Sequence, residues 1–154
     1  GLNPFPKDHP KYTVVAENFR PVLSLKTQVV FIRVIEPGET VGYNRRWQAK
    51  RQSRLALLPV GYGDGYRRTP YNAGKVIING QYVPIVGSVA MDQTVVDITD
   101  IQGPVAVGDE VVLIGKQNVV SLTADDLATS YNTVNYEVVT ALQDRIDRDY
   151  GVKA

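Results

Sequence analysis

The sequence has no cysteine, a single histidine and a single methionine in its 154 residues. Without cysteine, disulfides and thiolate metal centres are excluded. The lone histidine, His9, lies between Asp8 and Pro10. It has no second His or Cys with which to hold a metal, and a Ser/His/Asp triad would have to draw on it. No apolar run approaches the ~18 residues of a membrane span. The amino end, GLNPFPKDHP, is too polar and proline-broken for a signal peptide. Neither sign of charge is in excess: 17 Lys+Arg face 16 Asp+Glu, a net charge of +1. No global field therefore calls for nucleic acid or a membrane surface. There is no Walker loop, and Gly61, Gly63 and Gly65 run into turn-like or strand-like Tyr66-Arg67-Arg68 rather than a phosphate-binding helix.

What is present is a globular composition, 44% hydrophobic and 21% charged, of a length that suits one domain. The first residue is not Met, so the chain reads as a piece of a longer protein. Its most distinctive stretch is Ser53–Arg68. Leu55, Ala56, Leu57, Leu58 and Val60 form a buried-strand pattern. It stops at Gly61-Tyr62-Gly63-Asp64-Gly65-Tyr66, which reads either as a tight turn or as a functional loop held by a strand.

The remaining elements follow from local chemistry. Residues 1–13 carry three prolines without periodicity and read as an extended connector, whereas Val14–Arg20 is ambiguous and ends at Pro21. Val22–Glu36 reads as strand. Thr40–Tyr43 begins another, followed by Asn44, which tolerates left-handed geometry. Asn79-Gly80 between apolar runs predicts a type I′ hairpin, and Pro84 confines its strand to an edge or a bulge. Thr94–Ile98 and Val111–Ile114 are further strands. Thr123-Ala124-Asp125-Asp126 reads as a helix cap, and Val138, Val139, Leu142 and Ile146 recur at helical spacing. Short strands at this spacing predict a mainly β fold, a small β-barrel-like domain with one or two helices near the C-terminus.

Two patterns hold candidate chemistry. Tyr43, Tyr62 and Tyr66 sit beside glycines at strand ends, among 9 tyrosines. A tyrosine acting as a base needs help from neighbouring cations, and Tyr43 has Arg45 and Arg46 nearby; ordinary packing is the other reading. The basic patch Arg45, Arg46, Lys50, Arg51 and Arg54 around Trp47 suits single-stranded nucleic acid, a solvated face or a subunit contact.

Six motifs in order carry a resemblance. They are Gly38–Tyr43, Leu58–Arg68, Pro84–Thr94, Val107–Val111, Thr133–Glu137 and Arg145–Tyr150. Together they resemble the carboxy-terminal domain of alanine racemases, pyridoxal-phosphate enzymes that interconvert L- and D-alanine, the latter for peptidoglycan. The resemblance implies a linker over 1–21 from a missing amino-terminal (β/α)₈ barrel, the β domain over 22–150 and a tail over 151–154. It implies Tyr43 as the acid–base tyrosine, Met91 as a backbone contact to the substrate carboxylate and Asp92 as support for that loop. Tyr62 would line the access corridor, and Tyr136 would reach the phosphate of pyridoxal 5'-phosphate. The lysine that carries the cofactor would lie upstream, so the isolated chain is expected to be inactive. Implied partners are the chain's own barrel, a homodimer mate and alanine, with no nucleic acid and no metal. A cytoplasmic, bacterial setting follows, or a membrane-attached one for a serine racemase of the same architecture. Departures are Asn44 for a common glycine, Ala90 for a frequent cysteine and Gly63 for a frequent alanine. The readings from other classes are a β-barrel interaction module and a non-catalytic dimerisation domain.

Overall fold

The computed structural model describes residues 2–5, 7–18, 20–68 and 74–151. In chain order its elements are α1 (Tyr12–Asn18), β1 (Leu25–Gln28), β2 (Phe31–Ile35), β3 (Thr40–Val41), β4 (Trp47–Gln48), β5 (Ser53–Leu58), β6 (Lys75–Ile78), β7 (Gln81–Pro84), β8 (Thr94–Asp97), β9 (Glu110–Gln117), β10 (Val120–Leu122), α2 (Ala124–Tyr131) and α3 (Asn135–Thr140). Single turns of 3-10 helix at Tyr43–Arg45 and Tyr62–Asp64 interrupt the strands.

The strands do not close on themselves. They divide into a five-stranded sheet ordered β1-β9-β6-β7 with β10 also on β9, a three-stranded sheet β2-β5-β8, and the pair β3-β4. All pairings are antiparallel. The expected mainly β, barrel-like domain is thus corrected to a mixed fold of several antiparallel sheets and three short helices among the described residues. The physical reason is visible at Val29-Val30. The Val29 amide donates to Asp109 and its carbonyl accepts from Gly108, within reach of β9, whereas the Val30 amide donates to Leu57 in β5. One apolar run therefore crosses from one sheet to another, and Val22–Glu36 is two strands rather than one.

β9 is the hub, pairing with β1, β6 and β10. Val111, Val112, Leu113 and Ile114 are buried whichever way they point, as expected for a strand covered on both faces. They join Val76, Ile77, Ile78, Leu58 and Val96 in the main core. A smaller cluster of Ile35, Val41, Ala49, Leu55 and Val86 lies beneath β3-β4, with Trp47 packed on it.

Other local expectations hold. Asn79 (φ 50°) and Gly80 (φ 70°) turn the β6-β7 hairpin, and Pro84 lies on the edge strand β7. α1 spans the end of the expected connector and most of the stretch from Val14 that the sequence leaves ambiguous, although it buries no residue. His9 is used locally: its ring stacks on Phe5 at 4.4 Å between centroids and its Nδ1 accepts from the Lys11 amide. In the tail, residues 152–154 lie outside the described residues. Among the described residues no helix is long and apolar enough to cross a membrane.

The cap on α2 forms as the sequence suggests. The Asp126 amide donates to Thr123 Oγ1 at 3.1 Å, and the Thr123 amide donates to Asp126 Oδ2 at 2.8 Å. Lys7 pairs with the other oxygen of Asp126. Burial pulls the Asp126 carboxyl upward, but hydrogen bonds from Lys7 and Thr123 outweigh it and leave the pKa below its ordinary 3.8. A lowered folded-state pKa gives stability that is full above the unfolded value and is lost as pH falls through the folded one. Thr123→Ala is expected to cost about 1 kcal/mol in urea denaturation near neutral pH. The Lys7–Asp126 contribution should fade only as the pH drops below about 4, which an acid titration of the denaturation midpoint checks.

Candidate functional site

β5 ends at Leu58, and the chain after it meets the loop after β7 through backbone contacts. The Tyr62 amide donates to Ala90 O at 3.0 Å and the Gly63 amide to Met91 O at 2.8 Å. This approach needs glycine at 61. A Cβ there would stand 2.1 Å from Ala90 O and 2.4 Å from Met91 O, far inside van der Waals contact. Asp64 closes the turn by accepting the Gly61 amide at Oδ2, 2.8 Å.

The peptide geometry has a chemical consequence. In a trans peptide the C=O and N–H point in opposite directions. Anchoring Ala90 O on the Tyr62 amide therefore turns the Met91 N–H away from the glycine loop. No group among the described residues accepts from that amide.

Tyr43 reaches the same cluster from another direction. Gly42, at φ 75°, presses on the loop after β7, and a Cβ there would lie 2.7 Å from the Ser88 amide nitrogen. Asn44 takes the left-handed conformation (φ 63°) expected of it, and Arg45 does so too (φ 50°). The backbone thus gathers Tyr43, Tyr62, Met91 and Asp92 around one knot of loops. Their side chains stand out from it: Tyr43 is 52% exposed, Met91 51% and Tyr62 39%. Tyr66 differs, being 4% exposed, with its phenol pushed well above its ordinary range by burial and then by neighbouring Tyr131. It is a core residue kept protonated.

Tyr136 is not part of that knot. It sits on α3, 50% exposed, beside a cavity of about 240 Å³ that Asn3, Pro4, Phe5, Lys7 and Thr133 also line. Its hydroxyl has no hydrogen-bond partner among the described residues. The basic patch does not present an aromatic platform. Trp47 packs on the smaller core, Arg51 pairs with Asp100, and Arg54 Nη2 donates to Val105 O at 2.6 Å. Among the described residues no three His, Asp or Glu side chains form a metal-holding group.

Arg145 has a role that motif reading alone did not reveal. Its Nε donates to Asp64 Oδ1 at 2.8 Å and its Nη2 to Asp92 Oδ1 at 2.5 Å. It joins the glycine loop to the loop of Met91 across 81 and 53 residues of chain. No local sequence pattern carries such a pairing.

The family profile described as "Alanine racemase, C-terminal domain" matches residues 22–150, and the chain belongs to that family. The alanine racemase of Clostridium novyi (strain NT) is 50% identical over 131 residues, covering 85% of this chain and 34% of that protein. Among solved structures, alanine racemase from Bacillus anthracis with bound L-Ala-P superposes with a TM-score of 0.81 at 31% identity, over 95% of this chain and 36% of that one. Alanine racemase from Bartonella henselae with covalently bound pyridoxal phosphate gives 0.76 at 36% identity, over 82% and 34%. The chain spans about a third of the length of these relatives.

Gly61→Ala is expected to force the two loops apart and to destabilise the fold by about 1–3 kcal/mol. Denaturation of the variant checks the cost, and faster amide exchange at Tyr62 and Gly63 would report the broken contacts.

Proposed function

We infer that this chain is the carboxy-terminal part of a pyridoxal-phosphate-dependent alanine racemase and supplies acid–base and substrate-carboxylate groups to its active site. The observation that carries this is the knot of loops that displays Tyr43, Tyr62 and Met91 half-exposed on a backbone fixed by Gly42 and Gly61. Such a surface suits a site completed by another surface, and family membership says which reaction to test.

Racemisation requires a proton to leave Cα from one face and return on the other. The Tyr43 phenol oxygen exchanges the proton on one face, as a general acid–base within hydrogen-bond reach. A lysine upstream of this chain serves the other face. The outward Met91 amide hydrogen-bonds the substrate carboxylate, Asp92 holds that loop, and Tyr62 lines the way in. When bound, pyridoxal phosphate supplies the electron sink for the Cα carbanion.

This chain's own residues suit a partial contribution to holding that cofactor. The unpartnered Tyr136 hydroxyl can donate to a phosphate oxygen. The lysine that carries the cofactor lies upstream of this chain on this reading, as the family resemblance implies, because none of the lysines at 7, 11, 26, 50, 75, 116 and 153 stands in its motif. Tyr43 and Met91 work against the barrel of a homodimer mate, and Tyr136 against the chain's own barrel, with residues 22–150 as the carboxy-terminal domain and 1–21 as the link. The isolated chain is inactive on this reading.

The test is α-proton exchange from L- and D-alanine separately, in the full-length parent and in Tyr43→Phe, with serine run beside alanine to read substrate preference. Exchange from the L-hand should fall by roughly a hundredfold or more, the scale of acid–base catalysis, and much less from the D-hand. Equal loss from both hands, or no loss, would overturn the assignment of Tyr43.

A further inference from the structure

Arg145 occupies an unusual position beside this site. Asp64 uses one carboxylate oxygen to cap the Gly61 amide and the other to accept from Arg145 Nε. Arg145 then extends Nη2 to Asp92, the residue after Met91. The segment that carries Arg145 is itself fixed to the glycine loop, because the Gln143 amide donates to Asp64 O at 3.1 Å. The Ala141 carbonyl also packs where a Cβ on Gly65 would fall, 2.0 Å away. Glycine at 63 leaves room for the guanidinium, since a Cβ there would stand 2.6 Å from Arg145 Nη2. Both ion pairs favour the charged guanidinium, Asp92 first and Asp64 second.

The Met91 peptides are thus held from two sides. The Tyr62 and Gly63 amides grip the carbonyls of Ala90 and Met91, while Arg145 grips the Asp92 side chain immediately beyond. We propose that Arg145 is a positioning residue that sets the direction of the Met91 amide through Asp92, and so tunes affinity for the carboxylate of the substrate. This rests on the reading of Met91 as the carboxylate contact. Arg145 does not touch the reacting atoms, and the proton-transfer step is left to Tyr43.

A charge-only role predicts something different. Arg145 lies between two carboxylates. Were it merely offsetting their field, removing Asp92 would strengthen anion binding, whereas a positioning role makes the same change weaken it.

The experiment uses the full-length parent and propionate, a carboxylate of alanine's size without the amine, as a competitive inhibitor. Arg145→Gln should raise the propionate inhibition constant and the alanine KM about fivefold, the scale of one exposed ion pair, equally for both hands. The kcat should stay within about twofold, the signature of lost uniform binding. Arg145→Lys should recover part of the affinity, because it keeps the charge but not the fork. Asp92→Ala should raise the inhibition constant as well, and it decides the matter if Arg145→Gln does not fold. An inhibition constant that falls or stays level in Asp92→Ala overturns the proposal, as does a kcat loss in Arg145→Gln with propionate affinity intact. Tyr43→Phe run in parallel separates the two readings. If it is silent, the site assignment fails. If it impairs one hand while Arg145→Gln and Asp92→Ala leave propionate affinity unchanged, the positioning role alone fails.

Discussion

Two consecutive peptides, Ala90–Met91 and Met91–Asp92, rest on the amides of Tyr62 and Gly63, and the missing side chain at Gly61 is what permits it. Each hydrogen bond contributes about 1 kcal/mol net, less than a buried steric overlap would cost. Space at Gly61, rather than hydrogen-bond strength, is therefore the controlling constraint. Once the contact forms, Asp64 can close the turn, Arg145 can bridge to Asp92, and Gly42 can lean on Ser88. Loops that β2-β5-β8 and the β6-β7 hairpin deliver separately then behave as one surface.

Local geometry was legible in the residues wherever a single side-chain type decided it. Asn79-Gly80 turned the hairpin, Thr123 and Asp126 capped α2, and Asn44 took up positive φ. Sheet membership was not legible. Val29 and Val30 are alike as residues, and only their hydrogen-bond partners, Asp109 and Leu57, put them in different sheets. That switch divides a regular run of strands between two sheets. The spacing of Val138, Val139, Leu142 and Ile146 identified residues that face the core, but not how far the helix runs. α3 stops at Thr140, where Gly65 packs on Ala141 and the Asp64 carbonyl takes the Gln143 amide. The candidate site was similarly divided. Its tyrosines stood out beside glycines, whereas Arg145 acts through partners that chain distance hides.

The separation of Tyr136 from Tyr43, Tyr62 and Met91 has a simple physical meaning. Tyr136 is carried by a helix of six residues packed near the amino-terminal segment, while the other three are carried by backbone contacts between loops. The two displays therefore owe their placement to different parts of the chain. The two displays are nonetheless coupled, because the residues after α3 are those that bring Arg145 to the loop knot.

That coupling bears on how precision is obtained. Half-exposed side chains such as Tyr43 and Met91 are only partly fixed by packing within this chain. The Met91 amide is different. Its direction is set by the neighbouring carbonyl and needs no side-chain packing to persist. A site built in this way divides its work by physical type. On the proposed reading, backbone groups fixed by glycine contacts and one arginine fork would supply orientation, and half-exposed side chains would supply chemistry.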